Sequence, residues 1–184
     1  PETPRRGDPI FERVANHVLA DGLTALEAAA DRASEAGYTP VVLSSRVRGE
    51  AREAAKTLVG IAEECRASAN PASPPAVFLS GGETTVTDPG DGAGGQNQEF
   101  ALSAAVGLTE RDIVVGSVDT DGIDGATDLA GGLVDDGTVT DSEAAHAALR
   151  SHDSGPFLVE RDAAVETGPT GTNVNDLRVL VVPE

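Results

Sequence analysis

Four short segments concentrate the residue types that bind phosphate, hold cations and move protons. In Ser80–Val86 (SGGETTV), Gly81 and Gly82 fall at the end of an expected strand, where bare backbone can turn and offer N–H groups to an anion. Thr84 and Thr85 add hydroxyls, and a plain hairpin turn is the alternative. In Asp88–Phe100 (DPGDGAGGQNQEF), Gly90, Gly92, Gly94 and Gly95 lead into a helix start at Gln96 and Asn97, where free N–H groups and the helix dipole favour phosphate. Gly90, Gly92 and Gly95 also satisfy G-x-G-x-x-G, with Asp119 following at roughly the spacing of a dinucleotide fingerprint. The match is weak, because the preceding segment is Thr-rich and ends in Asp88-Pro89 rather than forming a buried first strand. No glycine loop ends in G-K-S/T and no G-x-S-x-G occurs, which excludes a P-loop and a nucleophile elbow.

The third segment, SVDTDGIDGATD, sets Asp119, Asp121, Asp124 and Asp128 at the carboxyl end of an expected strand, where open α/β sheets collect ligands. Closely spaced carboxylates suit Mg²⁺, with waters and substrate phosphates completing its shell. An EF-hand is excluded by register, since Ile123 and Ala130 would occupy ligand positions; an acidic surface loop is the alternative. The fourth, TGPTGTNVND, carries Gly168, Gly171, Asn173 and Asp176 and is either a ligand loop or a turn network supporting its neighbours. His17, His146 and His152 show no metal-ligand spacing and read as structural or solvated.

These loops need a scaffold, and the periodicity supplies one. An apolar run at Ala15–Leu19 reads as a strand. Leu23, Leu26, Ala29, Ala30 and Ala33 then repeat at helical spacing until Gly37. Tyr38–Leu43 reads as a buried strand, Glu50–Ser68 as a helix with Leu58, Ile61, Ala62 and Cys65 on one face, and Ala76–Leu79 as a strand. Further strands are expected at Glu83–Thr87, Ile113–Val118, Leu133–Val139 and Leu177–Val182, with helices at Asn97–Val106 and Ser142–Ser151. The alternation predicts an α/β fold: three layers, a mostly parallel (mixed) sheet, and helices on both faces. Residues 1–9, rich in proline, read as a linker entering one domain over 10–184. The chain begins at Pro1 without Met and reads as a piece of a longer polypeptide.

Composition narrows the partners. With 13 Lys+Arg against 31 Asp+Glu, the net charge of −18 repels nucleic acid and anionic membrane surfaces. No run of about 20 apolar residues exists to span a bilayer. Lys56 is the only lysine and the acids are spread along the chain, a surface suited to strong brine, where the Debye length falls to about 3 Å. A lone Cys65 excludes an internal disulfide and suggests a reducing cytoplasm.

The ordered motifs SGGETTV, GGQNQEFAL, DTDGIDGATDLAGG and TGPTGTNVNDL closely resemble the MOFRL domain, the carboxyl-terminal part of ATP-dependent glycerate 2-kinases, a family sometimes labelled hydroxypyruvate reductase. The resemblance implies transfer of the ATP γ-phosphoryl group to the 2-hydroxyl of D-glycerate with Mg²⁺. The cleft would lie between this domain and an amino-terminal domain, so that the isolated piece is inactive. On that reading the candidates are Asp119 and Asp121 for Mg²⁺, with Asp121 and Asn97 as catalytic residues. Gly81, Gly82, Thr84, Gly94, Gly95, Gln96, Asn97 and Asn173 would contact phosphate or substrate, with Asp124 orienting backbone and Asp176 supporting from behind. Many relatives look to have arginine where this chain has Gln96. A nicotinamide-dependent reductase using the Gly90–Gly95 loop, and a non-catalytic docking module, remain the other readings. The charge pattern predicts a melting temperature that climbs steeply between low and molar KCl; a salt-insensitive melting curve would refute the brine adaptation.

Overall fold

The computed structural model describes residues 3–87 and 92–184. The amino-terminal segment forms one 3₁₀ turn, Pro9–Arg13, and no regular element from there to Asp21. The strand expected at Ala15–Leu19 is absent. Asn16 and His17 interrupt its apolar run, it pairs with no strand among the described residues, and Leu19 is 93% exposed.

Helix α1 (Gly22–Glu35) starts at a reciprocal cap, in which Thr24 N–H donates to the Asp21 carboxylate and Asp21 N–H donates to the Thr24 hydroxyl. Strand β1 (Thr39–Glu50) outruns the expected Tyr38–Leu43 because two register irregularities, between Val42 and Val47, let it keep pairing to Glu50. Then follow α2 (Ala51–Ser68), β2 (Ala76–Thr85), α3 (Gln96–Gly107), β3 (Val114–Asp119), β4 (Gly131–Val134), α4 (Ser142–Ser151), α5 (Ser154–Val159), β5 (Ala164–Val165) and β6 (Asp176–Val182). The expected short strand at 83–87 is the end of β2. Strand β4 stops at Val134 because Asp135 accepts from Gly137 N–H and the Thr138 hydroxyl, forming a turn.

The sheet order is β1-β2-β6-β3-β4-β5. The α/β class, the mixed sheet and helices on both faces are as expected; the parallel pairing is not. Among the described residues β1–β2 is the one parallel neighbour pair, and β2–β6, β6–β3, β3–β4 and β4–β5 are antiparallel. The cause is β6. Strands β1, β2 and β3 do run in one direction, as the helical crossovers α2 and α3 dictate, but the last strand inserts antiparallel between β2 and β3.

Helix α1 covers one face, burying Leu26 and Ala33 against Val77 and Leu79. On the other, α2 and α3 enclose Phe78, Phe100, Ile113, Val115 and Leu180. Cys65 is in this core, its thiol donating to Ala72 O and pushed up in pKa by burial. Helix α3 is buried all round from Asn97 to Ala105, because α4 and α5 pack behind it through Leu102, Ala145, Leu149 and Phe157. The carboxyl ends of β1, β2 and β3, the start of β6 and the start of α3 therefore gather at one edge.

Gly82 shows how tightly that edge is built. Its φ is +129°, and a Cβ there would overlap Val47 N and O on β1. Gly82→Ala is expected to cost about 1–3 kcal/mol in denaturant unfolding. Gly60→Ala, in α2 with nothing within 4 Å of the added carbon, is expected to add about 0.5–1 kcal/mol.

Candidate functional site

The start of α3 is occupied by the protein itself. Asp124, on the loop after β3, is 0% exposed and inserts its carboxylate at this helix terminus. Oδ1 accepts from Asn97 N–H at 3.0 Å and Asn97 Nδ2 at 3.2 Å; Oδ2 accepts from Gln98 N–H at 2.8 Å and Gln98 Nε2 at 2.9 Å. The anion-seeking end of the helix is thus satisfied by a residue 27 positions downstream of Asn97. Burial pushes the Asp124 pKa up to about 6, and the hydrogen bonds from Asn97 and Gln98 pull against that rise.

This insertion explains the glycines. A Cβ on Gly95 would coincide with the Asp124 carboxyl group, one on Gly94 with Ser154 Oγ, and one on Gly92 with the Ser151 carbonyl. Gly92–Gly95 therefore lets the loop close onto the α4–α5 joint and the Asp124 loop. Ala93 N–H donates to Asp153, and Gly155 N–H to Ala93 O. The loop does not offer the free N–H groups expected of it at Asn97 and Gln98, and the dinucleotide reading loses its pyrophosphate seat for the same reason. Gly90, the first glycine of that match, lies outside the described residues. Gly81 and Gly82 likewise sit inside β2, paired with Leu177 and Asp176, instead of forming a turn.

A second layer of bonds runs through Asn97. Its Nδ2 donates to Asp176 Oδ1 at 2.7 Å as well as to Asp124, and its Oδ1 accepts from Ser117 Oγ at 2.6 Å. The side chain is 0% exposed, and both its donor and acceptor ends are engaged. Thr84 is buried too, with N–H and hydroxyl directed to Asp176 Oδ2. Asp176 Oδ2 also pairs with Arg178, whose Nη2 donates to Thr84 Oγ1 at 2.7 Å. Gln96, half-buried at the rim, sends Nε2 toward Asp176 Oδ1 at 3.4 Å.

Beside this layer lie three more carboxylates: buried Asp119, half-buried Asp121 and exposed Glu83. Asp119 ends β3 directly opposite Asp176 on β6. Burial raises its pKa, the N–H of Asp121 lowers it, and the charges of Asp121 and Asp176 raise it further. Exposed Glu83 is raised by burial of its carboxyl and then by Asp176 and Asp119. Asp121 is half-buried, accepting from Ile123 N–H at 2.9 Å and Asn173 Nδ2 at 2.9 Å, so Asn173 fixes one carboxylate oxygen of the pair. Among the described residues no three His, Cys, Asp or Glu side chains group so as to hold a metal alone. Asp119 and Asp121 do offer the hard oxygen donors that Mg²⁺ takes in ones and twos, and a cation would relieve the mutual repulsion that raises Asp119. A polar cavity of about 310 Å³ opens beside Asn173, lined by Asp21, Gly22, Ser45, Val174 and Asn175.

The structure thus brings Thr84, Gln96, Asn97, Asp119, Asp121, Asn173 and Asp176 to one edge, and the glycines serve as close-contact positions within it. Sequence reading missed Arg178 and Glu83. The signal for Arg178 was a charge at an inward position of the otherwise apolar strand LRVLVV. His152 is structural as expected, its Nδ1 2.7 Å from the buried Glu99 carboxylate, and Lys56 lies on α2 paired with Glu53.

A three-layer α/β domain with an acidic, loop-built edge at its strand ends is the class that fold and site define. Residues 76–176 match the MOFRL family, and the chain belongs to it. It is 38% identical over 186 residues to the D-glycerate 2-kinase of Thermotoga maritima, covering 98% of this chain and 44% of that protein. It is 42% identical over 172 residues to an Agrobacterium vitis protein named as a hydroxypyruvate reductase, covering 90% of this chain and 45% of the other. The crystal structure of the Thermotoga maritima glycerate kinase superposes with a TM-score of 0.87 at 37% identity, covering 90% of this chain and 41% of that one. The chain spans less than half the length of these relatives.

Asp124 carries a pH signature. Its folded pKa of about 6 exceeds the unfolded 3.8, so its contribution to stability is greatest below pH 4 and declines as pH rises to 6, by about 3 kcal/mol. Asp124→Asn would set an NH₂ against N–H donors and cost stability throughout. The gap between wild type and variant should narrow from pH 4 to pH 6 in urea unfolding, and a gap that widens would contradict the assignment.

Proposed function

We propose that the chain is the carboxyl-terminal part of an ATP-dependent glycerate 2-kinase that phosphorylates the 2-hydroxyl of D-glycerate. The reading rests on one observation above all: a cluster of carboxylates at the sheet edge, Asp119 and Asp121 among them, backed by a locked hydrogen-bond layer, in a chain more than a third identical to a glycerate 2-kinase. Phosphoryl transfer asks a protein for positioning and charge neutralisation more than for covalent chemistry, and this edge is suited to both.

In this proposal Asp119 and Asp121 hold Mg²⁺, which when bound neutralises the transferring phosphate. Asn173 orients Asp121 toward that role, and Gln96 at the rim offers its amide to substrate oxygens. Asn97 and Thr84, fully engaged inside, position the site without touching substrate, which revises the catalytic contact expected of Asn97. The cavity beside Asn173 is of a size to admit a small hydroxy acid. The remaining wall of the cleft belongs to the amino-terminal domain. The proposed setting is a salt-rich cytoplasm.

The test is a coupled assay of the complete polypeptide with ATP, Mg²⁺ and D-glycerate, with hydroxypyruvate plus NADH run beside it. Expected are 2-phosphoglycerate formation, no NADH oxidation, and a loss of about 100-fold or more in Asp121→Ala at unchanged circular dichroism. NADH oxidation without phosphoryl transfer would establish the reductase instead.

A further inference from the structure

Arg178 is the largest side chain that is completely buried in the described structure. It projects to the same face of β6 as Asp176, Leu180 and Val182, every one of them buried. Its neighbours across the sheet are Ser80 on β2 and Ser117 on β3, and its guanidinium lies 4.9 Å from the Phe100 ring centre. Among the described residues its hydrogen bonds run through Nη2, toward Asp176 and Thr84; Nε and Nη1 have no hydrogen-bond partner there, and neither has Ser80 Oγ. Apolar residues at both Arg178 and Asp176 would continue the packing of Leu180 and Val182, and buried ion pairs replaced together in that way commonly leave a protein as stable or more so, whereas removing Arg178 alone strands a buried carboxylate. Fold stability is therefore a poor reason for the pair.

Its geometric effect is specific. Asp176 bridges two layers: Oδ2 faces Arg178 and Thr84, while Oδ1 accepts Asn97 Nδ2 and Gln96 Nε2. Asn97 in turn joins Asp124 and Ser117. Without the guanidinium, Asp176 would be a buried acid facing Asp119 with Glu83 nearby and no cation in contact.

We propose that Arg178 is a positioning residue of this site. Acting through Asp176, it sets the Asn97 side chain and hence the placement of Gln96 and the Asp119–Asp124 loop at the rim. Its catalytic consequence rests on the kinase reading above; its structural consequence does not.

Two variants of the purified complete polypeptide test this, Arg178→Met and Arg178→Lys, with two readouts. In the first, ¹⁵N NMR of the Asn97 side-chain amide, Arg178→Met is expected to shift the signal and speed its hydrogen exchange about 100-fold, with the lysine variant intermediate. In the second, kcat for glycerate phosphorylation is expected to fall about 100-fold in Arg178→Met with both KM values within about threefold, and lysine to restore about tenfold. A folded Arg178→Met with a wild-type Asn97 signal and wild-type kcat overturns the proposal. If Arg178→Met does not fold, the lysine variant decides: a displaced Asn97 signal with kcat reduced about tenfold supports the role, and wild-type values refute it. If the wild type phosphorylates no glycerate, the kinase reading fails, and the amide signal alone decides the role of Arg178.

Discussion

The site edge depends on one interaction, the insertion of the Asp124 carboxylate into the amino terminus of α3. A helix buried on every side cannot leave its first N–H groups to solvent, and Asp124 accepts two of them together with the side-chain amides of the same residues. That bond set ties the loop after β3 to the helix after β2. Gly95 is small because Asp124 sits against it, Gly92 and Gly94 because the loop closes onto the α4–α5 joint, and Gly125 because a Cβ there would press on Gly94 and Gly95.

Electrostatics then divides the edge into an inner and an outer layer. Inside, both buried acids are hydrogen-bonded, Asp124 by amides and Asp176 by Arg178, Thr84 and Asn97. Beside this inner layer, Asp119, Asp121 and Glu83 have no cation in contact among the described residues, and the raised pKa values of Asp119 and Glu83 register burial and their repulsion together. An inner layer that spends its hydrogen bonds on itself leaves the outer one pre-arranged, at no further cost in ordering when a ligand arrives.

Much of the architecture was legible in the sequence. The helices at 22–35, 51–68 and 142–151 and the strand segments at 76–79, 114–118 and 177–182 carry apolar patterns that survive folding, and the helix at 96–107 shows as a run of small and apolar residues. The segment around Val18 was misread, since an apolar run becomes a strand only where a partner offers hydrogen bonds. Strand β5 and helix α5, two and six residues long, are too short to show a period. The residues of the edge were also legible as a set, but their division of labour was not. Gly94 and Gly95 looked like phosphate cradles, and Asn97 like a contact residue, because composition cannot tell a backbone exposed to ligand from one pressed against another loop.

By itself, then, the sequence determined which segments are regular, that three strands share one direction, and which polar loops matter, because these follow from local periodicity and residue chemistry. Tertiary structure alone decided that β6 inserts between β2 and β3, and hence that Asp176 meets Thr84 across 92 residues of chain and Asn97 across 79. It decided, too, that Asp124 and not a ligand fills the start of α3. Both are contacts between segments far apart in the chain, whose energy depends on burial that no local pattern records.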